Sequence, residues 1–204
     1  MSKKKSYSKF TYKDLPALGL QVIIKPLFDT TMIIPLAPSA WLSETLALGQ
    51  EVSLATEKAK SELIITPILS EIRRNNKELF SFYSGFNFDV DAARGLQGFC
   101  DFLLARLPLS VVPQTTIIAV VEAKHQQDLV DAVPQCAAEM YAATIFNEKL
   151  ADKPAIIHGV VTSGYEWLFL KLEGHIISVN TIRYNLNNLP ELLGVRQKVI
   201  DFYR

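Results

Sequence analysis

The chain has 204 residues, 49% of them hydrophobic, which suits one domain with a sizeable core and excludes wholesale disorder. Its 21 basic and 21 acidic residues give zero formal net charge. That argues against a strongly basic, non-specific nucleic-acid binder, because counterion release needs many cationic contacts, but leaves room for a locally basic groove.

Lys3, Lys4, Lys5, Lys9 and Lys13 make the N-terminus basic, and a disordered solubilising tail is the favoured reading. Residues 1–38 read as irregular to short strand, with Leu20 to Ile24 and then Met32 to Ile34 between prolines. Ser39 to Ala47 reads as a short helix capped by Ser39. Glu57 to Asn75 reads as a helix, since Ile64, Ile65, Ile68, Leu69 and Ile72 fall on one stripe. Pro67 should bend or split it. Glu71 sits at the stripe's edge, where it can reach a cleft beside a sheet or remain an ordinary solvated glutamate. Arg73, Arg74 and Lys77 form a second basic cluster at the end of this helix.

Leu79 to Val90 reads as a strand bent near Gly85, and Asp89, Asp91, Arg94 and Gly95 as a turn. A strand from Gly98 to Ala105 follows. Thr115 to Ala123 is β-branched and almost wholly apolar, as expected of a central strand buried on both faces. Gln126 to Leu150 is helical in pattern, with one stripe of Leu129, Val130, Val133, Ala137, Met140, Tyr141 and Thr144. Ala132, Cys136 and Ala143 form a second, small-residue face, so this helix should be covered on two sides. Pro134 is best placed if the main helix begins there. Strands at Ala155 to Val161, Glu166 to Leu172 and His175 to Val179 follow with hairpin turns, and Leu189 to Phe202 closes the chain as a helix. The strand–helix–strand unit over 115–161 implies a parallel crossover, the hairpins imply antiparallel members, and the class is α/β with a mixed sheet flanked by helices.

Cys100 and Cys136 form no CxxC pair and no zinc spacing with the three histidines, so a reducing, cytoplasmic compartment is expected. No signal peptide is apparent and the apolar runs are shorter than a membrane span, so no membrane partner is expected. Both cysteines, His158, His175, Trp167 and Phe169 read as structural.

The chemistry-bearing pattern lies at two strands. Glu122, Ala123 and Lys124 close the apolar run Ile117 to Val121, and Asp101 closes a second apolar segment, on the strand before it. Alternation along a strand points Glu122 and Lys124 the same way, so two carboxylates and an ammonium converge. Mg²⁺ or Mn²⁺ held by one or two carboxylates suits phosphodiester hydrolysis. Asp101 and Glu122 are the candidate ligands, with the Ala123 backbone carbonyl as a third. Lys124 would orient water or stabilise developing charge, and Glu71 would hold a second metal or a metal-bound water.

These residues resemble the PD-(D/E)xK superfamily of restriction-endonuclease-like nucleases, over residues 57 to about 180. Asp101 matches the motif's aspartate and Glu122-Ala123-Lys124 its (D/E)xK; Gly98 to Asp101 is similar to the GxxD form of the exonuclease-type and resolvase-type branches. Glu71 fits the glutamate that many members carry on the helix before the sheet. The chain departs from the pattern in having Cys100, not proline, before Asp101. Some branches carry Gln and Tyr one turn apart on the following helix; here Gln135 is followed by Glu139. Gln135 and His125 are secondary site candidates, each with a surface or strand-end reading beside it. The resemblance implies a restriction-endonuclease-like mixed sheet over residues 57–204, preceded by an N-terminal extension over 1–56, and a Mg²⁺-dependent nuclease acting on DNA. The alternative is a non-catalytic or partner-activated nucleic-acid-binding or assembly module on the same fold; a hydrolase of small phosphate esters is a third reading. Two-strand cleavage would need two sites, which a homodimer would supply.

Overall fold

Seven strands form one mixed sheet in the order β1-β7-β6-β5-β4-β3-β2. They are β1 (Gln21–Ile24), β2 (Phe80–Asn87), β3 (Phe99–Arg106), β4 (Ile117–Ala123), β5 (Ile156–Thr162), β6 (Glu166–Glu173) and β7 (Ile176–Asn185). The computed structural model describes residues 5–108, 110–124 and 129–204. Pairs β4–β5 and β1–β7 are parallel; the other neighbours are antiparallel. Every residue of β4 and β5 is buried, so the near-continuous apolar runs mark the centre of the sheet, covered on both faces.

One face is covered by α4 (Leu129–Asn147) and by the 3₁₀ turns Tyr7–Lys9 and Leu15–Leu18. The small-residue face of α4 lets it approach β5 closely. A Cβ at Gly159 would lie 3.0 Å from Cys136 Sγ and closer still to Met140 Sδ. Pro134 lies inside α4 instead of opening it. Its missing N–H removes the donor that residue 134 would otherwise give the Val130 carbonyl, and the Tyr12 hydroxyl donates to that carbonyl at 2.7 Å. The basic N-terminus is therefore no loose tail from Lys5 onward. Tyr7 is buried and its hydroxyl donates to the Phe88 carbonyl, and Lys5 pairs with Asp14.

The other face carries α1 (Ala40–Gly49), α2 (Glu57–Lys60), α3 (Thr66–Asn75) and α5 (Leu189–Asp201). Between α2 and α3 the chain makes a π-helical turn, Ser61–Ile65, where Thr66 N–H reaches back five residues to the Ser61 carbonyl. That turn precedes Pro67 and absorbs the split its sequence implies. All five isoleucine and leucine residues of the expected stripe are buried. Met32 to Ile34 forms no strand. Asp29 accepts from Thr31 N–H and sets a 3₁₀ turn, Thr30–Met32, and Pro35 then removes a ladder donor. Trp167 and Phe169 are core side chains, and both cysteines are buried and free. No described helix is long and apolar enough to cross a membrane.

Candidate active site

The β3–β4 ladder runs from Ala105↔Ile117 to Phe102↔Val121 and then ends. One step further, the Ala123 N–H donates to Asp101 Oδ2 at 2.7 Å. A side chain thus replaces the backbone partner, and the two strands part around it. Asp101 lies near the start of β3 and does not close a strand as expected; antiparallel pairing is what brings that start beside the end of β4. In a strand, the N–H and C=O of one residue point to the same side. The Ala123 carbonyl therefore opens into the same gap as Asp101.

Across β2, the register Ser84↔Phe102 and Phe86↔Cys100 puts Gly85 opposite Asp101. Gly85 has φ of 60°, and a Cβ there would meet nothing within 4 Å. The missing side chain keeps open a cleft of about 250 Å³ bordered by Glu57, Lys58, Ser61, Glu62, Gly85 and Asp101.

Glu122 is 2% exposed. Its Oε1 accepts from Lys124 Nζ at 2.5 Å, while its buried Oε2 has no hydrogen-bond partner among the described residues. Lys124 Nζ also donates to Gln135 Oε1 at 3.1 Å, and Gln135 Nε2 donates to Glu139 Oε1 at 3.1 Å. Glu139 is fully buried and its Oε2 has no hydrogen-bond partner among the described residues.

Burial, then the Asp101 charge, pushes the Glu122 pKa up to about 8 against the pull of Lys124. Burial also raises Asp101, opposed by the Ala123 hydrogen bond. Glu139 is driven well above the carboxylate range by burial and then by Glu122. Burial pulls Lys124 down, but Glu122 and the surrounding acids outweigh it and the net shift is upward. A short Lys124–Glu122 contact is the geometry of a charged pair, whereas a raised Glu122 pKa favours its neutral form. One proton held by the Glu122–Glu139 pair satisfies both. The proton belongs to the pair and not to either acid alone.

Glu71 does not reach into this cleft. It is buried on α3, with Oε1 accepting from Ser39 N–H at 2.8 Å and Oε2 from Ser39 Oγ at 2.9 Å. Ser39 Oγ in turn accepts from Leu42 N–H, so Glu71 braces the cap of α1. The acid from this helical layer that acts on Asp101 and Lys124 is Glu57. Gln135, a secondary candidate, joins the site directly. His125 lies outside the described residues. Arg74, Lys77 and Arg204 border a separate groove at the far end of β3 from Asp101.

Sequence reasoning missed Glu57 and Glu139. Glu139 carried a signal, since Ala132, Cys136, Glu139 and Ala143 follow one helical stripe, and a carboxyl inside a small-residue stripe is a buried acid.

No protein-family profile matches the chain, and no curated protein matches it. Among the described residues, no group of three or more His, Cys, Asp or Glu side chains is arranged to hold a metal ion. The gap between β3 and β4 offers two carboxylates, Asp101 and Glu122, and one backbone carbonyl, Ala123. Mg²⁺ typically takes one or two carboxylates and keeps waters for the rest. The unpartnered, buried Glu122 Oε2 is consistent with that donor set, so these residues fit such an ion.

Proposed function

We propose that this chain is a metal-dependent nuclease hydrolysing DNA phosphodiester bonds, on the restriction-endonuclease-like plan of the PD-(D/E)xK enzymes. The observation that carries the reading is the Asp101 carboxylate on the Ala123 N–H. It brings Asp101, the Ala123 carbonyl and Glu122 to one gap beside Lys124. The element order supports it too: α3, then β2, β3 and β4 antiparallel, then α4 and a β5 parallel to β4.

Asp101, Glu122 and the Ala123 carbonyl would hold Mg²⁺ or Mn²⁺, which supplies Lewis-acid activation of the phosphate and a nucleophile at neutral pH. Lys124 has three ammonium donors, of which two are bound by Glu122 and Gln135. The third remains to orient the attacking water or to meet charge developing on the phosphate oxygens. Fixing the ammonium before substrate arrives removes reorganisation from the reacting step. Gly85 leaves room for a sugar–phosphate backbone opposite Asp101.

The rim favours one other reading. Glu57 and Glu62 border the cleft, and the basic residues Arg74, Lys77 and Arg204 lie at the other end of β3. A negative rim repels DNA, which suits a non-catalytic or partner-activated assembly module. Cleavage of labelled linear, circular, single-stranded and branched DNA with Mg²⁺ or Mn²⁺ separates the two. Cutting that disappears in Lys124→Ala supports the nuclease; no cutting of any substrate by the wild type supports the module.

A further inference from the structure

Glu139 has no place in the chemistry above, yet it is a fully buried carboxyl with no cation bonded to it among the described residues. Burying such a group costs several kcal/mol unless its environment compensates, so its position on α4 needs a cause. Four side chains join in sequence. Glu122 is bound by Lys124, Lys124 by Gln135, and Gln135 by Glu139.

We propose, on the nuclease reading, that Glu139 is a positioning residue: it anchors the Gln135 amide and, through it, fixes the Lys124 ammonium beside Glu122. The directions of the bonds follow from chemistry. An ammonium only donates, so Gln135 must turn its carbonyl oxygen to Lys124 and its NH₂ to Glu139. Without an acceptor at 139, the Gln135 amide has no reason to keep that orientation. Gln135 and Glu139 are four residues apart on α4 and share a face, so one rigid helix sets both. Glu139 is not itself a metal ligand, which agrees with the lack of a three-acid metal group among the described residues.

The test uses the full chain and two readouts. Mn²⁺ binding, followed by electron paramagnetic resonance with the metal alone, is compared in wild type, Glu139→Gln and Glu139→Leu. Glutamine keeps an acceptor for the Gln135 amide and should hold affinity within about twofold; leucine removes that acceptor and should weaken affinity about tenfold, the scale of a lost supporting hydrogen bond around a metal site. Equal weakening by both would overturn the inference, since it would make Glu139 a ligand. Equal affinity in all three would overturn it as well. The second readout is the Lys124 ammonium signal in ¹⁵N NMR of the metal-free protein. The chain of bonds predicts a protected signal in wild type that is lost in Glu139→Leu and kept in Glu139→Gln. A signal unchanged in Glu139→Leu would refute the positioning role. A wild type that binds no Mn²⁺, while the ammonium signal responds as predicted, would sink the metal reading and leave the positioning role standing.

Discussion

His158 gives the sharpest quantitative consequence of the fold. It lies on β5, 6% exposed, with Nδ1 2.7 Å from the Tyr203 hydroxyl oxygen. That hydroxyl also donates to the Ile118 carbonyl at 2.7 Å and so ties the C-terminus to β4. Burial, and then the charge of Lys171, lowers the His158 pKa from 6.5 to about 4. The unfolded chain therefore takes up a proton near pH 6.5 that the fold refuses until about pH 4. Stability from this residue is complete above the unfolded pKa and is lost as pH falls through that window. At roughly 1.4 kcal/mol per tenfold in proton affinity, the full difference is about 3 kcal/mol. Most of it is gone by pH 4.5. Urea unfolding at pH 7.0 and 4.5, with chelator present, measures it when wild type is compared with His158→Asn. Asparagine removes the titration while keeping a polar atom near the Nδ1 position. The loss of stability between the two pH values should be larger in wild type by about 2 kcal/mol. Other acids titrate equally in both proteins and cancel. Equal losses would refute the claim that His158 is buried neutral.

Glu122 acts with the opposite sign. Its folded pKa is raised, so the native state holds a proton that the unfolded chain has released, and stability falls as pH rises from about 4.5 through about 8. In chelator, Glu122→Gln should flatten that decline and be more stable than wild type at pH 8, as thermal unfolding would show. Glu71→Ala should cost about 1–3 kcal/mol in urea by stranding Ser39, while leaving Mn²⁺ affinity unchanged. Weakened Mn²⁺ binding in that variant would return Glu71 to the metal site. Gly194→Ala should destabilise by about 3 kcal/mol, because the new methyl would press on the Ile34 backbone, whose carbonyl carbon would lie 3.0 Å away. A wild-type urea midpoint would show that the 33–36 segment yields easily to α5.

Periodicity read the sheet's centre well. The apolar runs at 117–121 and 156–161 are the two fully buried central strands, and a helix between them forces their parallel pairing. Alternation alone put Glu122 and Lys124 on one side of β4. What periodicity could not supply was the antiparallel offset that brings the start of β3, with Asp101, to the end of β4. Nor could it show the replacement of a ladder bond by the Asp101 side chain. Glu71 misled because a stripe-edge carboxylate looks the same whether it faces a cleft or a helix cap. Its partner, Ser39, is 32 residues away in sequence. Pro134 misled for the same reason, since the hydroxyl that donates in place of its missing N–H belongs to Tyr12, 118 residues from Val130.

The central claim is that Asp101, Glu122 and Lys124 cut phosphodiesters with a divalent ion. The most direct measurement is single-turnover cleavage of the labelled DNA panel in Mg²⁺ and Mn²⁺ by wild type and Lys124→Ala, both shown to be folded. The account predicts metal-dependent cutting by wild type and a loss of about 10²-fold or more in the variant, the scale of removing one preorganised charge stabiliser. Cutting at the same rate by Lys124→Ala, or a wild type inert on every substrate, would contradict it.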